Sequence, residues 1–201
     1  MKKKFSGILI VLSGPSGIGK GTVIKQLLKK IANLKISVSV TTREPRDGEE
    51  NGKEYFFTDK QNFLTMVENS EFLEYAEYCG NFYGTPKKKL LDMLNNGNDV
   101  ILEIDVEGAF QIKKIFSDAI SIFIAPISED TLKHRLLNRG SDNETSINER
   151  INRAKKEIEC ATDYDYLVEN VDLEKCVEDI SKIIEVEHMK TKRLSYIVKE
   201  G

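Results

Sequence analysis

The sequence is poor in the side chains that form disulfides or bind metals. Of its 201 residues, three are cysteines and two are histidines. Cys79, Cys160 and Cys176 are odd in number and show no Cys-x-x-Cys spacing, which argues against a disulfide framework and a metal site. His134 and His188 are isolated, so we expect a surface role for each. This cysteine usage predicts a reduced, cytoplasmic setting.

Long apolar runs and a net positive charge are also missing. The apolar run at residues 8–12 is shorter than the core of a signal peptide, and no segment reaches the roughly 20 residues that a membrane span needs. Thirty basic residues face 33 acidic ones, a formal net charge of −3. This balance argues against a polymeric nucleic acid partner, which would need a basic face. The sequence predicts no membrane association and is compatible with a monomer or a homo-oligomer.

No linker rich in proline, glycine or serine divides the chain, so we expect a single domain over residues 1–201. Apolar strands alternate with amphipathic helices, which predicts an α/β fold with a doubly wound parallel sheet. The predicted strands cover residues 8–13, 34–40, 99–105, 120–125 and 166–170, and the predicted helices cover 20–32, 106–117 and 128–139, with further helices from Ser146 and from about Asp172.

The first predicted strand ends in a sequence typical of a phosphate-binding loop. Residues 14–20 read Gly-Pro-Ser-Gly-Ile-Gly-Lys. Glycines allow the sharp turn, backbone N–H groups of the next helix can hold an anion, and Lys20 can reach the outer phosphates of a nucleoside triphosphate. The serine or threonine expected next is replaced by Gly21, and Thr22 follows. We therefore expect Mg²⁺ to be held mainly by phosphates and water, with Thr22 and Glu103 as candidate protein ligands.

Residues 54–85 interrupt the alternation of strands and helices and predict a small mixed α+β insertion. Within it we expect strands at 54–57 and 72–78 around a helix at 59–69, and then a helix at 86–96 with Thr85 as its cap. The apolar strand at 99–105 then ends in acids, as does a Walker B element that brings a carboxylate to a phosphate loop. An ordinary buried strand with a polar end is the alternative.

Arginines cluster in two predicted loop regions. Arg43 and Arg46 follow the strand at 34–40, in the region where open α/β sheets bind ligands. A solvated loop is the alternative for these two arginines. For the second cluster, surface ion pairs with neighbouring glutamates are the alternative, but a lid that closes arginines onto phosphates fits a phosphate-loop enzyme better. The second cluster flanks the loop 140–145 and comprises Arg135, Arg139, Arg150 and Arg153.

Nearly the whole chain resembles the guanylate kinases. The specific stretches are residues 13–20, 37–46, 48–55 and 80–85, and Ile104-Asp105 with Gly108. The resemblance implies transfer of the γ-phosphate of ATP to GMP, giving ADP and GDP, in purine nucleotide metabolism and GMP recycling. It also implies a core of residues 1–36, 97–138 and 156–201, a GMP-binding insertion at about 37–96 and a helical lid at about 139–155.

The resemblance further implies a role for each matching residue. Arg43, Arg46, Tyr55 and Tyr83 would hold the GMP phosphate, and Glu74 would accept the two donors of the guanine edge. Catalysis would rest on Lys20, Arg43, Arg135, Arg139 and Arg150. ATP would be bound by Gly14, Pro15, Ser16, Gly17, Ile18, Gly19, Lys20, Gly21, Thr22, Arg139 and Asn170, the last near the adenine. GMP would be bound by Ser39, Arg43, Arg46, Tyr55, Glu74, Tyr83, Thr85 and Asp105.

Two departures and two alternatives accompany this interpretation. The family often has aspartate where this chain has Glu103, and many relatives carry a hydroxyl where it has Gly21. A guanylate-kinase-like module that only binds proteins could dispense with Lys20 and the GMP arginines, which are all present here. A kinase for another phosphorylated small molecule is the second alternative, and use of dGMP is left open.

Overall fold

The fold is described by a computed structural model that covers residues 7–128 and 144–193. Contacts divide the chain into two units, unit 1 (Met1–Ser13 and Asn33–Ile122) and unit 2 (Gly14–Ala32 and Phe123–Gly201). Within the described ranges, no helix is both long and apolar enough to cross a bilayer.

Strands and helices alternate at the two ends of the described chain, and strands dominate its middle. The strands are β1 (Leu9–Ser13), β2 (Leu34–Ile36), β3 (Val40–Thr41), β4 (Phe56–Phe57), β5 (Phe72–Tyr78), β6 (Asn81–Pro86), β7 (Asp99–Glu103), β8 (Ile120–Ala125) and β9 (Tyr166–Glu169). The helices are α1 (Lys20–Lys30), α2 (Lys60–Glu68), α3 (Lys87–Asn95), α4 (Val106–Ile115), α5 (Glu144–Glu159) and α6 (Leu173–His188).

Unit 1 contains a parallel sheet with the strand order β2-β7-β1. Every residue of β1 is buried, and in β7 only Glu103 at the end is partly exposed. Such near-continuous apolar strands are typical of parallel sheets with both faces covered. The carboxylate of Asp99 accepts a hydrogen bond from the N–H of Ile8 at 2.9 Å, which joins the start of β7 to the segment before β1.

A second, mixed sheet in unit 1 has the strand order β4-β3-β6-β5. β3 pairs parallel with β4 and antiparallel with β6, while β5 and β6 form an antiparallel hairpin. The fully buried Phe63 of α2 stacks on Phe72 and Phe82, with ring centroids 4.6 and 5.5 Å apart. These aromatic contacts form the core of the small insertion that the sequence predicts.

Unit 2 contains the predicted phosphate-binding loop together with α1, α5, β9 and α6. α1 packs against α6, and β9 lies beside β8. Phe123 contacts Tyr164 edge to face at 5.2 Å, and the hydroxyl of Tyr166 donates to the buried carboxylate of Glu187 at 2.6 Å. The last helix begins after Asp172, whose side chain accepts from the N–H of Lys175.

The predicted α/β fold with its parallel sheet is confirmed, but several element boundaries were wrong. The strand expected at 34–40 is two strands, because the chain leaves the parallel sheet after Ile36 and pairs in the mixed sheet from Val40. Thr85 does not cap a helix: it lies in β6, and its hydroxyl donates to Glu74 instead. α5 begins at Glu144, so Ser146 is inside the helix and not at its start. The helix expected at 128–139 lies almost entirely outside the described residues.

Candidate active site

The loop between β1 and α1 has backbone angles that favour glycine. Gly14, Gly17 and Gly19 have φ values of 152°, 86° and 98°. A Cβ at Gly14 would also lie 2.4 Å from the carbonyl oxygen of Ile124, so this position has no room for a side chain. Gly19 precedes the first residue of α1 in a left-handed conformation, and the N-terminus of a helix is a favourable place for an anion.

Lys20 lies over the same loop. Its Nζ donates to the carbonyl oxygen of Gly14 at 2.6 Å and to that of Pro15 at 3.4 Å. The loop is closed by a hydrogen bond from the N–H of Ile18 to Pro15 at 3.2 Å, and the Ile18 side chain is fully buried. The predicted phosphate loop is therefore a hydrogen-bonded turn that carries a lysine charge beside the N-terminus of α1.

Asn170 contacts the phosphate loop directly. Its Nδ2 donates to the carbonyl oxygen of Ile18 at 2.6 Å, and its own N–H donates to Ala125 at 2.9 Å. The residue is 6% exposed, and its side chain lies against Gly19, where a Cβ would be 3.4 Å from Nδ2. Asn170 therefore links the segment after β9 to the loop, a contact that the sequence did not predict.

Three of the residues predicted to hold the GMP phosphate lie together in unit 1. The guanidinium of Arg43 lies 5.4 Å from the ring centroid of Tyr55, and the Tyr55 and Tyr83 rings are 5.8 Å apart. Tyr83 also interacts with Arg43 electrostatically. Burial raises the pKa of Tyr55 to about 12, so its hydroxyl stays a neutral donor at physiological pH. Arg46 is exposed on the same loop.

Glu49 organises this arginine loop. Both of its carboxylate oxygens accept from the Arg43 guanidinium at 2.9 Å, and one also accepts from the N–H of Arg46 at 2.8 Å. Burial alone would raise the pKa of Glu49, but these hydrogen bonds from Arg46 and Arg43 outweigh it and lower that pKa. Glu49 therefore stays ionised and fixes the direction of the Arg43 guanidinium.

A second group in unit 1 surrounds the buried carboxylate of Glu74. Glu74 on β5 is 5% exposed and accepts a hydrogen bond from the hydroxyl of Thr85 at 2.5 Å. Burial, with the nearby charge of Asp105, raises the pKa of Glu74 to about 7. Asp105 caps α4 by accepting from the N–H of Gly108 at 3.0 Å. Ser39 is also buried, and its carbonyl oxygen accepts from Phe56 at 2.8 Å.

The remaining predicted residues are Thr22, Glu103 and the arginines of the second cluster, some of which lie outside the described residues. Thr22 is exposed on the first turn of α1, and Glu103 is partly buried at the end of β7. Arg135 and Arg139 lie outside the described residues. Of Arg150 only the helical backbone in α5 is described, whereas Arg153 on that helix pairs with Glu157 at 3.2 Å.

Two residues with evident contacts to this site were given no role in the sequence analysis, although both lie in stretches that resemble the family. Glu49 is one of several acids in a polar loop, and only the folded loop shows that it pairs with Arg43. Gly108 lies inside a helix, where glycine is unfavourable by about 1 kcal/mol relative to alanine. That unfavourable placement was the signal that could have identified Gly108.

The part of the chain that the structure describes offers no cluster of side chains typical of a protein metal centre. Among the described residues no three or more histidine, cysteine, aspartate or glutamate side chains are grouped so that they could hold an ion. Mg²⁺ suits such a site, because it commonly keeps several waters and binds through substrate phosphates with one or two protein oxygens. The residues present therefore fit an ion that arrives with a nucleotide.

Comparison with known proteins agrees with these features. A sequence model described as guanylate kinase matches residues 6–187. A guanylate kinase of Halalkalibacterium halodurans is 47% identical over 192 residues, covering 96% of this chain and 94% of that protein. One of Shouchella clausii is 46% identical over 198 residues, covering 98% and 97%. The crystal structure of guanylate kinase from Anaplasma phagocytophilum superposes with a TM-score of 0.80 at 39% identity, covering 94% of this chain and 90% of that one.

Proposed function

This chain belongs to the guanylate kinase family, and we propose that it transfers the γ-phosphate of ATP to GMP through the two sets of residues described above. The products are ADP and GDP. The observation that carries the proposal is the buried carboxylate of Glu74, 5% exposed and held by Thr85, within a chain that also has the glycines and Lys20 of a phosphate loop. A place in purine nucleotide metabolism and a cytoplasmic setting stay predictions.

Glu74 would identify the base of the acceptor. Guanine presents two donors on one edge, N1–H and N2–H₂, and a carboxylate can accept from both. Adenine has an acceptor at N1, which a carboxylate repels. Burial strengthens the discrimination, because a wrong base would leave a desolvated carboxylate with Thr85 as a donor but without the two donors of guanine. Ser39, Thr85 and Asp105 would complete this pocket.

Arg43, Arg46, Tyr55 and Tyr83 would hold the GMP phosphate. Arg43 is directed by Glu49, and the two tyrosine hydroxyls can donate to phosphate oxygens. Since the second pKa of a phosphate monoester is about 6, the attacking oxygen is already anionic at neutral pH and needs no general base. These residues would therefore position the nucleophile and reduce its repulsion from ATP.

The phosphate loop, residues 14–22, would bind ATP. Its backbone N–H groups and Lys20 face the β- and γ-phosphates, and Lys20 exchanges its carbonyl partners for phosphate oxygens. Mg²⁺ bound with ATP would neutralise charge on those phosphates, with Thr22 or Glu103 as its protein ligand. Asn170 would hold the loop and border the adenine.

Arg135, Arg139 and Arg150 would stabilise the transferring phosphate from a lid at about residues 139–155. Arginines on a lid can exclude water when both nucleotides are bound. The division into a core of residues 1–36, 97–138 and 156–201 and a GMP-binding insertion at about 37–96 is likewise part of the proposal. The insertion is supported by its separate mixed sheet.

An acceptor panel tests this function. Wild-type protein and Glu74→Gln are assayed with ATP and with GMP, dGMP, IMP or AMP. Wild type should prefer GMP over IMP, which lacks the N2 amine, and should use AMP poorly. A charge-assisted hydrogen bond contributes about 1.5–3 kcal/mol, so kcat/KM for GMP should fall roughly tenfold to a hundredfold in the variant. Equal GMP/IMP ratios in the two proteins would contradict the assignment of Glu74.

A further inference from the structure

Gly108 occupies an unusual place for a glycine, because neither its backbone nor its position in the helix calls for one. It lies in the first turn of α4, is buried and does not have a positive φ. Within a helix, alanine is about 1 kcal/mol more favourable than glycine. The chain therefore gives up helix stability at this position, and the reason must lie in what surrounds Gly108.

A side chain at position 108 would collide with the carboxyl group of Glu74. A Cβ at Gly108 would lie 2.7 Å from Oε2 of Glu74 and 3.3 Å from its Cδ, whereas the next neighbour, Cβ of Ile104, would be at an ordinary 3.5 Å. The conflict is therefore with the Glu74 carboxyl group alone. Glu74 cannot turn away at no cost, because its Oε1 accepts from Thr85 at 2.5 Å and the residue is almost fully buried.

The backbone contact of Gly108 is independent of its missing side chain. Its N–H donates to Oδ1 of Asp105 at 3.0 Å and so completes the cap of α4. Alanine has the same N–H and would keep this bond. Replacing Gly108 by alanine therefore adds one methyl group against the Glu74 carboxylate and leaves the helix cap in place.

We propose that Gly108 is a positioning residue for guanine recognition, since its lack of a side chain lets the Glu74 carboxylate lie against the first turn of α4. The two oxygens then have different surroundings: Oε1 is held by Thr85, and Oε2 lies against Gly108. Two adjacent donors can be met together only if both oxygens are in one fixed orientation. This inference rests on the proposed role of Glu74 in binding GMP.

A double-mutant cycle between positions 108 and 74 tests the inference. Gly108→Ala should fold and keep the wild-type KM for ATP, but its kcat/KM for GMP should fall about tenfold, the loss of one charge-assisted hydrogen bond. Its preference for GMP over IMP should shrink as well, which loss of stability alone would not cause. Glu74→Asp shortens the side chain by one methylene and makes room for the methyl group. In that background Gly108→Ala should change kcat/KM for GMP less than twofold.

The outcomes separate this inference from the proposed function. Wild-type kcat/KM and GMP/IMP preference in Gly108→Ala would overturn the role of Gly108, even if Glu74→Gln loses GMP use as expected. Unchanged GMP/IMP preference in Glu74→Gln would instead overturn the role of Glu74 itself. Should Gly108→Ala fail to fold, the double variant is compared with Glu74→Asp alone. A folded double variant with kcat/KM for GMP within twofold of Glu74→Asp supports the proposal, and a double variant that also fails to fold contradicts it. An equal, additive loss from Gly108→Ala in both backgrounds would also contradict the proposal.

Discussion

At the scale of single residues, the carboxyl group of Glu74 combines two properties that oppose each other. To accept two hydrogen bonds from guanine, as we propose, it would have to be ionised, yet burial raises its pKa from an ordinary value of 4.5 to about 7. In the free protein, a substantial fraction of Glu74 is thus protonated at neutral pH. A protonated carboxyl has a donor where guanine also presents donors, and binding is weakened.

This conflict predicts a pH dependence for GMP use. In wild type, kcat/KM for GMP should fall as the pH drops through about 7, because kcat/KM reports the ionisation of the free enzyme and of the free substrate. The GMP phosphate titrates near pH 6 in any case. In Glu74→Gln, the fall of kcat/KM near pH 7 should be absent, whereas the fall near pH 6 that the GMP phosphate causes should remain. Rate profiles from pH 5 to 9 would measure both. Superimposable profiles for the two proteins would show that Glu74 does not titrate in binding.

The same group should affect stability in a defined direction. Because its pKa is higher in the folded protein than in the unfolded chain, the unfolded chain releases the proton first as pH rises. The contribution of Glu74 to the free energy of unfolding is therefore largest below about pH 4.5 and declines until about pH 7. Denaturant titrations at a series of pH values measure this effect. Between about pH 4.5 and 7, the free energy of unfolding should decrease with pH more steeply in wild type than in Glu74→Gln, which serves as a control for the kinetic profiles.

At the scale of elements, the phosphate loop depends on a residue far from it in sequence. Asn170 follows β9, and its side chain satisfies the carbonyl of Ile18 at 2.6 Å. Leaving a buried carbonyl without its partner costs about 1–3 kcal/mol. Since a phosphate loop binds through fixed backbone N–H groups, a loosened loop should lose affinity for the nucleotide.

We therefore expect Asn170→Ala to raise the KM for ATP about tenfold, through the lost hydrogen bond, while the KM for GMP changes little. Asn33→Ala is a matched control, because Asn33 also donates to a backbone carbonyl, that of Gly97 at 2.8 Å, but at an exposed site in unit 1. Steady-state kinetics with ATP and with a donor that carries another base would separate two roles. A loss for ATP alone would point to adenine contact, and equal KM values for the two variants would contradict any role of Asn170.

At the scale of the whole molecule, local sequence patterns predicted the order of elements better than their pairing. The bounds of β5 and β8 were predicted correctly, and α1, α2, α4 and α6 were correct to within one or two residues at their starts. Residues 34–40 alternate with period two throughout, so nothing in their pattern marks the change of sheet between Ile36 and Val40. β6 was missed because Gly84, Thr85 and Pro86 read as a turn and a helix start, whereas pairing with β3 and β5 overrides that preference.

The site was predictable where one stretch of chain forms it. Residues 14–20 carry their own glycine spacing, and the loop has the expected conformation. Contacts between distant segments were not predictable from periodicity: Gly108 beneath Glu74, Asn170 on Ile18 and Glu49 on Arg43 depend on the folded backbone. Resemblance to a family supplied the proposed site residues, but it gave no role to Glu49 or Gly108.

We expect this chain to bind a triphosphate through its loop and guanine through Glu74, as two separable sets of residues. Calorimetric titration of wild type, Lys20→Ala and Glu74→Gln with GMP and with a non-hydrolysable ATP analogue in Mg²⁺ tests it most directly. Lys20→Ala should lose affinity for the ATP analogue by at least tenfold, as expected for a charged partner, and bind GMP as wild type does. Glu74→Gln should show the reverse pattern. Unchanged binding of both nucleotides in either variant, or equal losses of both in the two folded variants, would contradict the account.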